Sequence, residues 1–280
     1  MKTFLLVLLI VVAVLAVLAV LYLLMIMPRM MHKPDRTPYL RVLYAHRGLH
    51  DNETQAPENS LAAFQKAVDA GYGIELDVQL SKDKIPVVFH DFTLKRICGV
   101  EGKVTDYTYE ELQKFHLAQS DQTIPKFSEV LKLVDGKVPL IVELKIEGLN
   151  TEVCPLADEL LCAYKGAYCI ESFNPLGVKW YRDHRPEVFR GQLAEQFLKH
   201  QEFNSPLYFV LQNLLFNFLT KPDFIAYNHK HAKALSLRIC HRMYHNVAAA
   251  WTIKSQAELD AARKYFDIFI FDSFIPASNS

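Results

Sequence analysis

Two histidines in this sequence are followed by residues that suit them for chemistry: His46 precedes Arg47-Gly48, and His90 precedes Asp91. Imidazoles titrate near 6.5, so a pair of them can act as base and acid within one turnover near neutrality. Carboxylates also occur where apolar residues would be expected. Glu75 and Asp77 stand two apart in GIELDV (73–78), and Glu143 and Lys145 stand two apart in PLIVELK (139–145). Residues at this spacing share one side of a strand. Ionised side chains in an apolar strand are costly unless something compensates them, and clustered carboxylates raise one another's pKa. A divalent cation would relieve that repulsion, and oxygen-only ligands favour Mg²⁺ or Ca²⁺ over zinc. The same spacing also fits a plainer arrangement, with Glu143 and Lys145 as a structural ion pair and Glu75 and Asp77 facing outward to helices. Spacing alone leaves both open. Arg47 and Lys145 would add fixed positive charge, and an anion that meets Arg, Lys and a metal is well matched by a phosphate. The sequence contains neither a GxxxxGK[ST] phosphate loop nor a G-x-S-x-G nucleophile elbow.

The elements around these residues place them at one end of a fold. Short β-branched runs at 42–46, 73–78, 139–145, 168–172, 188–193, 223–227, 247–252 and 268–272 alternate with helix-length segments. In one such segment Leu61, Phe64 and Val68 recur at helical spacing before Gly71. Strand, helix, strand repeated along a chain implies parallel strands with crossover helices. Eight of them predict a closed (β/α)8 TIM barrel. A ninth apolar run, PVVFH (86–90), follows the second strand after only five residues. Parallel strands need a connection of about a dozen residues or more, so this run must return antiparallel as a hairpin. It therefore adds an extra strand at the active-site end and brings His90 to the end that carries His46, where barrel enzymes build their sites.

Composition bounds the function. Thirty-one Lys and Arg balance thirty-one Asp and Glu, which excludes a protein whose main partner is nucleic acid. With 51% apolar residues the chain has the means to bury a core, so disorder is excluded too. Residues 4–27 carry no charge. Twenty-four helical residues would rise about 36 Å, enough for a hydrocarbon core of about 30 Å. Nor does a small-x-small cleavage pattern follow. This predicts one N-terminal transmembrane helix retained as a single-pass anchor, so that residues 1–36 form anchor and linker and 37–280 the barrel domain. Arg29, Lys33, Arg36 and Arg41 flank its far end against Lys2 at the near end, placing the barrel on the cytoplasmic side. Cys98, Cys154, Cys162, Cys169 and Cys240 show no CxxC spacing and are expected as reduced structural residues.

Three features qualify the picture of the pocket. In PENS (57–60), Asn59 or Ser60 is a natural helix N-cap. Phe173 and Trp251 stand at strand exits, where packing is the expected role for Phe173, while Trp251 fits packing and a pocket wall equally. Residues 207–219 (LYFVLQNLLFNFL) are strongly apolar but too few to span a bilayer. They are expected as one helix with Asn213 and Asn217 on its polar side, packed on the barrel exterior rather than dipping into a membrane interface.

Taken together, AHRG (45–48), PENS (57–60), ELDVQLSKDKIPVVFHD (75–91) and VELK (142–145) resemble the glycerophosphodiester phosphodiesterase family. ESFNP (171–175) and AAWTIK (249–254) fit the same family in the same order, and the resemblance runs over about residues 42–276. It implies a (β/α)8 barrel that uses a divalent metal to hydrolyse a glycerol phosphodiester to sn-glycerol 3-phosphate and an alcohol. Position by position it implies His46 and His90 as catalytic residues and Glu75, Asp77 and Glu143 as metal ligands. Arg47 and Lys145 fall at phosphate-contacting positions, and the turn holding Glu58 and Asn59 falls at the rim of the site. The last strand reads FDIFIFDSF (266–274) where the family usually has a DG-I-x-T-D pattern, so Asp272 receives no role from the resemblance. Two alternatives keep or discard the chemistry: hydrolysis of a lipid-borne phosphodiester such as a lysophospholipid, or a catalytically dead barrel that only binds. The presence of every residue the chemistry needs speaks against the second.

Overall fold

The computed structural model describes residues 1–199 and 205–277. Its strands are β1 (Leu43–His46), β2 (Gly73–Leu80), β3 (Pro86–Val88), β4 (Leu140–Leu144), β5 (Tyr168–Ser172), β6 (Arg190–Ala194), β7 (Phe224–Asn228), β8 (Val247–Ile253) and β9 (Ile268–Phe271). All except β3 pair in parallel, and β1 bonds to both β9 and β2, closing an eight-stranded ring. The predicted TIM barrel is the observed fold. β3 lies outside the ring, antiparallel to β2, with Val78 opposite Val88. The hairpin turns at Ser81, whose amide donates to the Ile85 carbonyl (3.0 Å) while its Oγ accepts from the Ile85 amide (3.0 Å). Beyond β3 the chain builds a small core of its own around Val87, Phe89, Leu94, Leu112 and Ile124, which fixes the segment carrying His90.

Alternation along each strand decides which side chains enter the barrel. Ile74, Leu76 and Val78 of β2 pack outward with Phe64, Ala67, Phe127 and Val130 of the surrounding helices. Glu75 and Asp77, between them, must point inward, so the outward-facing alternative does not hold. Tyr44, Ile141, Cys169, Phe224 and Ile268 fill the interior below them. Two glycines make that filling fit: a Cβ on Gly73 would come within 2.6 Å of the Tyr44 ring, and one on Gly191 within 2.3 Å of the Phe224 ring. The helix Leu61–Asp69 starts where Ser60 Oγ accepts the Ala63 amide (3.1 Å), so Ser60 rather than Asn59 is the cap. Cys154, Cys169 and Cys240 are buried thiols, whereas Cys162 is exposed.

The apolar N-terminal stretch forms one helix, Lys2–Ile26, long and apolar enough to cross a membrane. Its last turn is tied to the barrel. Ile26 is fully buried and its carbonyl accepts from Asn217 Nδ2 (2.9 Å), while Tyr244 Oη donates to the Leu23 carbonyl (3.0 Å). Arg29 continues the attachment through its amide to the Pro222 carbonyl (3.1 Å) and its guanidinium beside Asp223 (3.6 Å). Residues 207–219 differ from the single helix expected of them. They divide into Pro206–Gln212 and Asn217–Thr220, because Leu214 adopts φ 59° and interrupts the helical path. Asn217 is accordingly buried against the end of the helix Lys2–Ile26 and does not lie on a polar outer face.

Candidate active site

Parallel register brings the acidic residues to one level: His46 pairs with Glu75, Asp77 with Glu143, and Glu143 with Glu171. Glu75, Asp77 and Glu143 each offer an oxygen within 4.8 Å of the others. Burial, together with Asp77, Glu143 and Glu171, pushes the Glu75 carboxyl well up. Burial also raises Glu143, partly offset by Lys145. Asp77 goes the other way: burial would raise it, but His90, Lys145 and Arg47 together hold it well below the usual carboxylate range. Asp77 Oδ1 has no hydrogen-bond partner. An unpartnered buried oxygen among crowded carboxylates is the donor set a hard divalent cation takes, so the three residues fit such an ion.

The positive side chains interleave with these carboxylates. Lys145 Nζ lies 2.8 Å from Glu143 Oε1 and 3.6 Å from Asp77 Oδ1. Arg47 adopts φ 54°, a conformation costly for a long side chain, which aims its amide at Glu75 Oε2 (3.1 Å). Its guanidinium reaches Glu58 (2.7 Å) and Asp77 (3.5 Å). Glu58 and Asn59 stand behind the cluster: Glu58 also binds Arg96 (2.7 Å), and Asn59 Nδ2 donates to Asp77 Oδ2 (2.9 Å).

Each histidine is oriented by a carboxylate. Asp272 accepts from His46 Nδ1 (3.1 Å), and Asp91 accepts from His90 Nδ1 (2.6 Å). Burial and the Arg47 charge lower the His46 imidazole to about 4, so it is neutral at physiological pH, with Nε2 left as the basic nitrogen. Burial would raise Asp272 and Asp91, but His46 and His50 outweigh it for the first, and His90 and Arg96 for the second, holding both low. His46, Arg47, Glu75, His90, Glu143 and Glu171 line one pocket of about 80 Å³, walled by Phe173 and Trp251 with their rings edge to face at 5.4 Å.

The model of the "Glycerophosphoryl diester phosphodiesterase family" matches residues 46–265. The chain belongs to this family. A glycerophosphodiester phosphodiesterase of Caldanaerobacter subterraneus is 42% identical over 166 residues, 55% of this chain and 67% of that one. One from Bacillus altitudinis is 40% identical over 112 residues, 38% of this chain and 44% of that one. The chain thus spans about half to two thirds of the length of these curated relatives. The fold is shared with a phosphodiesterase of Oleispira antarctica, at TM-score 0.67 and 24% identity over 83% of this chain and 93% of that one.

The structure also brings in residues that the family motifs did not single out. Asp272 follows β9, the neighbour of β1 in the closed ring, and also lies 3.2 Å from His50 Nε2. An aspartate directly after the apolar run 268–271 was the available signal. Glu171 is buried with Oε2 unpartnered, and burial with Glu143 and Asp77 nearby pushes its carboxyl well up. Its signal was the same as that of Glu143: an acidic residue near the end of an apolar barrel strand.

Proposed function

We propose that this chain hydrolyses glycerophosphodiesters to sn-glycerol 3-phosphate and an alcohol, with Mg²⁺ or Ca²⁺ held by Glu75, Asp77 and Glu143. The observation that carries the reading is the pairing of His46 and His90 in one pocket, each with Nδ1 on a carboxylate, which leaves Nε2 as the nitrogen to exchange a proton. A cation bound there would withdraw charge from the phosphoryl oxygens. Arg47 and Lys145 contribute fixed positive charge beside the same oxygens and need no reorganisation as negative charge builds at phosphorus. His46 accepts the proton of the attacking oxygen, water or a free glycerol hydroxyl, with Asp272 stabilising the imidazolium that results. His90 donates to the departing alkoxide, its ring held by Asp91, which Arg96 in turn fixes (2.6 Å). Phe173 and Trp251 wall the pocket around the glycerol. The relative from Oleispira antarctica was solved in complex with sn-glycerol-3-phosphate, which supports this product.

The helix Lys2–Ile26 serves as a membrane anchor in this reading. Arg29, Lys33, Arg36 and Arg41 keep the barrel on the cytoplasmic side.

Leaving-group dependence tests the division of labour. A general acid contributes about 10²–10⁴-fold, so His90→Ala should lose about that much on glycerophosphocholine, whose leaving alkoxide needs a proton. It should recover most of the loss on a p-nitrophenyl diester, whose leaving group needs none, while His46→Ala stays slow on both. Equal losses for His90→Ala on the two substrates would overturn the assignment.

A further inference from the structure

His46 and His50 stand on one turn after β1. The turn closes at Gly48, whose amide donates to the Ala45 carbonyl (3.2 Å) and whose carbonyl accepts the His50 amide (2.9 Å). Gly48 adopts φ 83°, and a Cβ there would come within 2.9 Å of the Ala63 backbone, so the tight return needs glycine. It carries the His50 ring back to the end of β9, where Asp272 is held by its amide on the Ile253 carbonyl (2.8 Å). The Asp272 carboxylate then sits between two imidazoles: Oδ2 lies 3.1 Å from His46 Nδ1, and Oδ1 lies 3.2 Å from His50 Nε2. Ser273 Oγ donates to Oδ1 as well (2.8 Å). The His50 ring is nonetheless short of partners. Among the described residues neither of its nitrogens makes a hydrogen bond, although both are shielded from solvent. Such a group calls for an explanation.

A metal ion supplies one. His46, His50 and Asp272 each offer a ligand atom within 4.8 Å of the other two. A tetrahedral Zn²⁺ with bonds of about 2.0–2.1 Å spaces its ligands about 3.3 Å apart, and the two imidazole-to-carboxylate distances already lie close to that edge. Two imidazole nitrogens with one carboxylate favour a borderline ion such as zinc, unlike the oxygen-only set of Glu75, Asp77 and Glu143. Approach is open from the side away from the phosphodiester. His50 and Asp272 line a second cavity, of about 750 Å³, which neither His46 nor the acidic cluster lines. Among its described lining residues the carboxylates Asp51, Glu53 and Asp272 outnumber the one amine, Lys66. That balance draws cations, and the space leaves room for a water as fourth ligand.

We propose that His46, His50 and Asp272 form an inhibitory zinc site that disables the catalytic base from behind. Zinc takes the lone pairs of His46 Nδ1 and His50 Nε2 with both rings neutral. The proton that His46 Nδ1 donates to Asp272 in the zinc-free enzyme moves to His46 Nε2, so none is gained or lost. Nε2 then faces the pocket as N–H and has no lone pair for the proton of the attacking oxygen. Asp272, bound to the metal, no longer offsets the charge of an imidazolium. The phosphodiester pocket itself is untouched, so zinc lowers kcat and leaves KM unchanged. The inhibition rests on His46 being the base, whereas the zinc site rests on geometry alone.

The test titrates Zn²⁺ into the full chain in detergent micelles, with Mg²⁺ in large excess to keep the carboxylate cluster filled. Calorimetry reads zinc binding, and release of sn-glycerol 3-phosphate from glycerophosphocholine reads kcat and KM. The parent should show a zinc site that Mg²⁺ does not displace, and kcat should fall as it fills while KM holds. His50→Gln and His50→Phe each remove one ligand and should keep the zinc-free kcat. Each should bind zinc at least about 10–100-fold more weakly, with inhibition moved to zinc concentrations higher by the same factor. Two variants are compared so that one that misfolds, seen as loss of zinc-free kcat, does not decide the outcome. No zinc site in the parent, or equal zinc affinity and inhibition in parent and variants, overturns the site and leaves the role of His46 intact. Zinc binding that depends on His50 but leaves kcat unchanged overturns the inhibition together with His46 as the base.

Discussion

Replacing Asp272 by Asn isolates what orients His46. The carboxylate faces two imidazoles, His46 Nδ1 at 3.1 Å and His50 Nε2 at 3.2 Å. Asparagine keeps the shape but offers one oxygen and one NH₂ group. If the NH₂ faces His46, Nδ1 must become the acceptor, the proton moves to Nε2, and the basic nitrogen is lost from the pocket. If the oxygen faces it, the hydrogen bond survives but the charge that stabilises the imidazolium does not. A hydrogen bond to a charged group is worth about 1.5–3 kcal/mol, and each 1.36 kcal/mol is tenfold in rate, so kcat should fall about 10- to 150-fold. KM should change little, because Asp272 is not among the residues lining the pocket with Glu75 and Glu143. The assay is release of sn-glycerol 3-phosphate from glycerophosphocholine at saturating metal, with His50→Gln as the comparison that leaves the His46 contact in place. If kcat for Asp272→Asn stays within threefold of the parent, or if His50→Gln costs as much, then Asp272 does not act through His46.

Three further outcomes are expected. Glu75→Gln removes one charge from the acidic cluster and should weaken Mg²⁺ or Ca²⁺ binding by at least the roughly 10–100-fold that loss of an outer partner costs, read by calorimetric titration of the ion. Glu58 is pushed up by burial but drawn down further by Arg96 and Arg47, to about 2 from an ordinary 4.5. Its stabilisation is therefore complete above pH 4.5 and is lost as pH falls toward 2. At 1.36 kcal/mol per pH unit that is about 3 kcal/mol, so Glu58→Gln should be less stable by up to that amount near neutrality and should converge with the parent at the acid end, by denaturant unfolding. Finally, a chain beginning at Thr37 should be less stable than one beginning at Tyr22. It lacks the buried Ile26, and the loss of a buried aliphatic side chain costs about 2–5 kcal/mol. Equal midpoints for the two would show that residues 22–36 only tether.

Much of this protein was legible in its sequence because local chemistry and local periodicity report on each other. Alternating strand and helix patterns determine a parallel barrel, since a short chain segment cannot reconnect parallel strands any other way. The five residues between β2 and PVVFH are too few for a crossover, so they determine the hairpin and with it the placement of His90 at the end that carries His46. Spacing of two determines that Glu75 and Asp77 share a side. Which side they share depended on closure of the ring, because inward and outward positions have the same period and differ only in what lies across the barrel. Closure also decided the partner of His46. Asp272 lies 226 residues away and becomes a neighbour only when β9 pairs with β1. The break at Leu214 and the burial of Asn217 against the N-terminal helix were likewise invisible along the chain. Apolar periodicity states how much surface must be covered, and only the folded neighbours determine what covers it.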